Sequence, residues 1–246
     1  MQRHHFLFRR LHSLTGVVPI GAFVAEHLFT SSAILLGAAE YERDIRFIWN
    51  LPGLLMMEIF LIWLPIAYHG ALGLVYCFTG RPNNSSYPET ANWRYTLMRV
   101  SGIIALVYIF FHVATTRWRW EFFGWYTPFH ADFATITTAD ALQAHWILPA
   151  FFVIGVLATV FHLANGLWTF AITWGITTTL AAQRRWGYIC TVIGLVLTLM
   201  GLAAILRFST YQLNEHEQQA LTQIKAGQNV DPALAQEIHA GYEHGH

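Results

Sequence analysis

Apolar residues along this chain fall into five long blocks separated by polar stretches, at residues 11–37, 51–79, 93–116, 144–177 and 186–208. A hydrocarbon core of about 30 Å is crossed by about 20 helical residues, so every block is long enough to span it. The pattern predicts an all-α membrane protein with five transmembrane helices, four of them forming a bundle. Local signals support these limits. Ser13 or Thr15 can cap the first helix, Pro19 is tolerable in its early turns, and Pro52 suits the first turn of the second. Gly80-Arg-Pro-Asn-Asn-Ser-Ser breaks the chain after the second block. Arg117-Trp-Arg-Trp closes the third as an aromatic and basic interfacial anchor. Between the blocks lie a polar stretch, 38–50, and a long connection, 121–143, that carries Pro128, His130 and two aspartates. Residues 1–208 read as one transmembrane domain and 209–246 as a polar C-terminal tail, with a helical stretch at 215–226. The closing His244 and His246 read as solvated rather than as a metal site.

Composition agrees. Of 246 residues, 55% are hydrophobic and 11% charged, against about 25% charged in an ordinary soluble domain. Basic and acidic residues number 14 each, so net charge gives no argument for nucleic acid. Cys77 and Cys190 read as small buried hydrophobes, not a disulfide framework. The opening MQRHHFLFRR runs into a stretch long enough to span and without a small-residue cleavage site, so it reads as a retained span rather than a signal peptide. With the N-terminus inside, that side holds Arg3, Arg9, Arg10, Arg81, Arg94, Arg99, Arg184 and Arg185; the other holds Arg43, Arg46, Arg117, Arg119, Arg207 and Lys225. The excess predicts a cytoplasmic N-terminus and, after five spans, an external C-terminus.

Candidate chemistry lies inside the blocks. His27, His69, His112 and His162 occupy the first four, one each. An ionisable residue at membrane depth is costly and marks a functional site by default. Any one of them alone also reads as a buried histidine bonded to a neighbouring helix; four together point to two bis-histidine haem sites in a helical bundle. At a rise of 1.5 Å per residue, His27 and His112 each lie about 24 Å from the inner ends of their helices, whereas His69 lies about 15 Å and His162 about 16 to 22 Å from theirs. The depths pair His27 with His112 at an outer level and His69 with His162 at an inner one. Gly155, Ala158 and Gly166 form a small-residue face around His162, and Gly73 lies one turn from His69; such faces also line plain helix contacts. Propionates need donors near the interface: Arg10, His12, Ser13 and Arg99 are within reach of an inner haem, Arg117 and Arg119 of an outer one. The arginines read equally as lipid headgroup contacts. Glu26, Glu58 and His130 are candidates for proton or quinone chemistry.

Arg9-Arg-Leu-His-Ser-Leu-Thr-Gly-Val-Val-Pro followed by Glu26-His-Leu resembles the start of the diheme cytochrome b anchor of succinate:menaquinone oxidoreductases, the five-helix single-anchor type. Arg81-Pro-Asn, Asn92-Trp-Arg-Tyr and Arg99-Val-Ser-Gly leading to His112 fit the same pattern, and the resemblance covers residues 3 to 208. It implies a bacterial inner-membrane complex with a flavoprotein and an iron–sulfur protein on the cytoplasmic face, two b haems held by His27, His69, His112 and His162, and menaquinone as electron acceptor. It implies no succinate-oxidising site in this chain. The related fumarate reductase anchor carries a carboxylate just before its fourth ligand, whereas Thr159-Val160-Phe161 has none. Other readings stay open at this point. One is the equivalent anchor of a quinol:fumarate reductase. Another is a stand-alone four-histidine cytochrome b reductase, and a third a haem-free proton-coupled transporter, although no discontinuous helix pair is evident. The quinone site is open between the outer side, near Glu58 and His130, and an inner position near Ser13 and Arg99.

Overall fold

The computed structural model describes residues 2–80, 90–120 and 126–244, and among these there is no strand. Arg81-Pro-Asn, the start of the 121–143 connection and His246 lie outside the described residues. Among the described residues five helices are long and apolar enough to cross a membrane: Phe6–Leu35, Leu54–Thr79, Asn92–Thr116, Ile147–Thr173 and Leu180–Ser209. The first helix begins at Gln2, well before the expected Leu11, because the charged residues of its opening turns do not disfavour a helix. The chain forms two compact units, Met1–His27, Gly53–Tyr108 and Gly155–Leu199 in one, Leu28–Pro52, Ile109–Ile154 and Met200–His246 in the other.

The first unit is built from membrane helices. Its N-terminal helix widens into a π-helical turn over Gly16–Gly21, which contains Pro19. Proline lacks an N–H and crowds the preceding turn, and the wider turn absorbs both defects. The helix packs on the second span along this stretch. Small residues set the spacing of the helices. A Cβ on Gly21 would meet Leu163 Cδ1 at 2.8 Å, and one on Gly194 would meet Ala164 Cβ at 3.1 Å.

The second unit departs most from the expectation. The polar stretch 38–50 forms a helix over Ala38–Trp49, started by Gly37 at φ +134°, a conformation side chains rarely adopt. Part of the long connection forms a helix over Ala134–Gln143. In the segment expected to be a polar tail, the helix expected at 215–226 is present as Glu215–Lys225, and a second one follows it, Pro232–His244. Asn214 caps the first through a reciprocal bond with Glu217, and Gly227 at φ +69° makes the turn to the second. Ala220, Leu221, Leu234 and Ile238 bury against Phe133 and Ile136. Ile34, Tyr41, Ala134, Leu142 and Phe208 form a neighbouring core. The Glu215–Lys225 helix buries only Glu217, Ala220 and Leu221, one narrow face on an otherwise polar surface, whereas Ala134–Gln143 is buried over most of its length.

Candidate functional site

In the first unit the rings of His69 and His162 lie 6.0 Å apart, centroid to centroid, with planes at 88°. Each imidazole is oriented by a backbone carbonyl of another helix. His69 Nδ1 donates to the His12 carbonyl at 2.9 Å, and His162 Nδ1 donates to the Met98 carbonyl at 3.0 Å. Ser101 Oγ, 6% exposed, donates to the same Met98 carbonyl at 3.1 Å and lies 3.4 Å from His162 Nδ1. With both Nδ1 atoms engaged as donors, the tautomer places the lone pair of each ring on Nε2. Two such rings could share one metal through bonds of roughly 2 Å.

Glycine makes this arrangement possible. A Cβ on Gly16 would meet His69 Nδ1 at 2.8 Å, and one on Gly102 would meet His162 Cε1 at 2.9 Å. Gly155 accommodates the Tyr108 ring, Gly166 lies 3.6 Å from Met98 Cε, and Gly73 lies 3.6 Å from His12 Cε1. Of the glycines singled out from sequence, Gly73 and Gly166 therefore pack against residues that touch the imidazoles and Gly155 against Tyr108, while Gly16 and Gly102 touch the imidazoles themselves. Both stand inside motifs already noted, in Ser13-Leu-Thr-Gly and Arg99-Val-Ser-Gly. The signal was present as a glycine facing a histidine from the neighbouring helix, which a single helix face does not reveal.

A group of donors runs from His12, which touches the imidazole pair, through Arg10 to Trp174 just past the fourth span. The His12 ring stacks on His69 at 4.0 Å and 9°, with Tyr76 edge-on at 5.4 Å. The Arg10 guanidinium lies between the rings of Phe6 at 4.8 Å and Trp174 at 4.7 Å. Arg10 Nε, His12 Nδ1 and Trp174 Nε1 are buried and make no hydrogen bond among the described residues. Buried donors normally find an acceptor, so this edge fits an anionic group. Trp174, just past the fourth span, was not anticipated. Ser13 is half-buried nearby in sequence, and Arg99 lies over the Tyr95 ring at 4.1 Å while bonding its hydroxyl.

The other candidates stand as follows. His27, in the first unit, is partly buried with Phe23 at 5.5 Å. His112, in the second, has Phe152 edge-on at 5.6 Å. Glu26 is exposed, and Glu58 is partly buried where a second π-helical turn begins. Arg117 lies over the Trp49 ring at 5.0 Å, and Arg119 is exposed with φ +54°. His130 donates its backbone N–H to Thr137 Oγ1 at 3.1 Å and lines a cleft of about 560 Å³ together with Asp132, Phe133 and His239. Burial, helped by the Arg119 charge, lowers the pKa of its imidazole.

Sequence reasoning missed two buried carboxylates in the second unit. Glu42 is fully buried; one oxygen accepts the Thr135 N–H at 2.7 Å and the other has no partner among the described residues. Burial pushes its pKa up to about 7. Glu217, 1% exposed, accepts from Tyr211 at 2.8 Å, Tyr242 at 2.6 Å and the Asn214 N–H at 2.8 Å.

Comparison with known proteins places this chain in a family. The family model described as the succinate dehydrogenase/fumarate reductase transmembrane subunit matches residues 81–201. The succinate dehydrogenase cytochrome b558 subunit of Bacillus subtilis (strain 168) is 38% identical over 206 residues, which cover 82% of this chain and 96% of that relative. No solved structure matches the chain. The relative aligns along nearly its whole length and the family model matches from 81 to 201, so the chain with its five apolar helices belongs to the succinate dehydrogenase/fumarate reductase transmembrane subunit family.

Proposed function

We propose that this chain is the cytochrome b anchor of a succinate dehydrogenase, linking an iron–sulfur subunit and its flavoprotein to menaquinone by way of two b-type haems. The observation that carries the reading is the pair His69 and His162, each fixed through Nδ1 by a backbone carbonyl and faced by a glycine. Haem supplies one-electron ferric/ferrous chemistry when bound. The chain's part is to orient both imidazoles and to keep the site apolar. His69 and His162 hold one haem at the inner level, and His27 and His112 hold the other at the outer level. Arg10 and Trp174, with His12, Ser13 and Arg99, offer donors to the propionates of the inner one. Residues 1–208 carry this redox function, with the N-terminus cytoplasmic. Glu58, Glu26 and His130 are the candidates for handling the two protons that accompany two-electron quinone reduction. The family includes fumarate reductase anchors, and the direction of electron flow follows from the partner subunits and the quinone potential.

The test is haem content with reduced-minus-oxidised spectra of single His→Ala variants in the whole complex. The wild type should hold two haems per chain. His69→Ala and His162→Ala should each lose the same one, and His27→Ala and His112→Ala the other. A colourless wild-type chain sinks the haem reading; loss of the same haem in His27→Ala and His69→Ala sinks the pairing.

A further inference from the structure

The proposed function makes no use of a cation that is linked to His162 through Asn165 and Met98. Arg94, on the first turn of the third span, donates through Nε to Asn165 Oδ1 at 2.9 Å. Its guanidinium carbon lies 3.9 Å over the Trp168 ring. Trp168 is held in turn, since its indole N–H donates to the Gln183 carbonyl at 3.0 Å. Asn165 is 4% exposed, and its amide nitrogen lies 3.3 Å from Met98 Sδ. Arginine has only donors, so the Asn165 oxygen must face it and the amide nitrogen must face the sulfur. Met98 is the residue whose carbonyl orients His162. Asn165 also follows His162 by three positions, about 4.5 Å along the helix axis. One buried amide thus ties a fixed cation to the support of a candidate haem ligand. The ion pairs among the described residues do not include Arg94. Its partners among the described residues are neutral, and at the edge of an apolar medium its field is weakly screened.

We propose that Arg94, anchored by Asn165 and Trp168, is a fixed positive charge that raises the reduction potential of the haem assigned to His69 and His162. The inference rests on that haem assignment. An added electron lowers the charge of the iron centre, so a nearby cation stabilises the reduced form and draws the electron toward this haem. Asn165 is the positioning residue, because it fixes the guanidinium and the Met98 side chain together.

The test is a redox titration of the intact complex, followed by optical spectra, with haem content measured in parallel. In Arg94→Gln the midpoint of this haem should fall by at least a tenfold change in the oxidised-to-reduced ratio at fixed ambient potential, about 59 mV for one electron. Arg94→Lys keeps the charge and should restore most of the difference. Asn165→Asp leaves the arginine in place but sets a carboxylate against it, and should lower the midpoint in the same direction. Unchanged midpoints in Arg94→Gln and Asn165→Asp, with both haems bound, overturn the proposal. Should Arg94→Gln lose the haem, the midpoint of Asn165→Asp decides. Absence of haem from the wild type would instead refute the function proposed above, so the two failures are distinguishable.

Discussion

Two clusters of buried polar side chains, one in each unit, use their hydrogen-bonding capacity in opposite ways. In the second unit Glu217 accepts from two phenols and a backbone N–H, all within its own unit. In the first, His69 and His162 spend only Nδ1 on carbonyls, while Arg10 Nε and Trp174 Nε1, in contact with each other through the guanidinium and the indole ring, make no hydrogen bond among the described residues. A closed network rigidifies a core and needs nothing more. An open one, lined by glycines against the imidazoles, has capacity for a ligand with both acceptor and metal character. Burial of polar groups is common to the two clusters; what separates scaffold from site is the remaining valence.

The sharpest way to break that contrast is to fill the space in front of an imidazole. Gly16→Val would force its side chain into His69, with the new Cβ 2.8 Å from Nδ1 on a helix held by the second span. Overpacking of this kind typically costs about 1–3 kcal/mol. The expected outcome is loss of the haem assigned to His69 and His162, with overall helicity retained. Gly241→Ala is the control, because a Cβ there meets nothing within 4 Å and helix propensity favours alanine over glycine. Wild-type haem occupancy in Gly16→Val, read from the absorbance spectrum, would show that the glycine does not form part of the site.

The parts of this molecule legible in the sequence were those governed by one-dimensional pattern. Runs of apolar residues located five spans, since length and polarity alone decide whether a helix crosses a bilayer. Helix ends were less legible: the first helix begins at Gln2, and the fifth span at Leu180 rather than Trp186, because polar residues continue a helix past the apolar run. In the second unit the helix at Glu215–Lys225 was legible, whereas Ala38–Trp49, Ala134–Gln143 and Pro232–His244 were not, since they are short and fall in stretches whose polarity reads as connection or tail. For the site, the histidines stood out by type and depth. Gly16, Gly102, Met98 and Trp174 did not, because their relevance comes from facing another helix. Met98 acts through a backbone carbonyl that any residue could supply.

Glu42 lies between the two extremes, with one oxygen bonded and one not. Its carboxyl titrates near 7 in the folded chain against an ordinary 4.5, and burial is the main cause. Between those values the folded state retains a proton that the unfolded state has released, so stability falls as pH rises. This contribution is complete below about pH 4.5 and is lost as pH passes the folded value, a difference of roughly 3 kcal/mol at most. Hydrogen exchange at the Thr135 amide, which donates to Glu42, should therefore be faster at pH 8 than at pH 5 after correction for intrinsic exchange. Glu42→Gln removes the titrating group and should abolish the difference. His130 acts in the opposite sense, because its lowered pKa costs stability as pH falls below its ordinary range. Comparison of Glu42→Gln with wild type cancels that background. A pH profile unaltered by the substitution would class Glu42 with Glu217, as a scaffold group.

The smallest effect is expected where a closed network meets solvent. Lys225 Nζ contacts Asp140 Oδ1 at 2.7 Å, tying the Glu215–Lys225 helix to the Ala134–Gln143 helix, with the lysine side chain 52% exposed. Asp140 also accepts from Thr127 at 2.5 Å, so losing the lysine does not strand its carboxylate. An exposed ion pair contributes about 0.2–1 kcal/mol and weakens with salt. Lys225→Ala should lower thermal stability by no more than this, and the difference from wild type should vanish in high salt. The spectrum and midpoints of both haems should not move. A shift in either midpoint would mean that the charge arrangement of the second unit reaches the redox site, and the division between scaffold and site would have to be redrawn there.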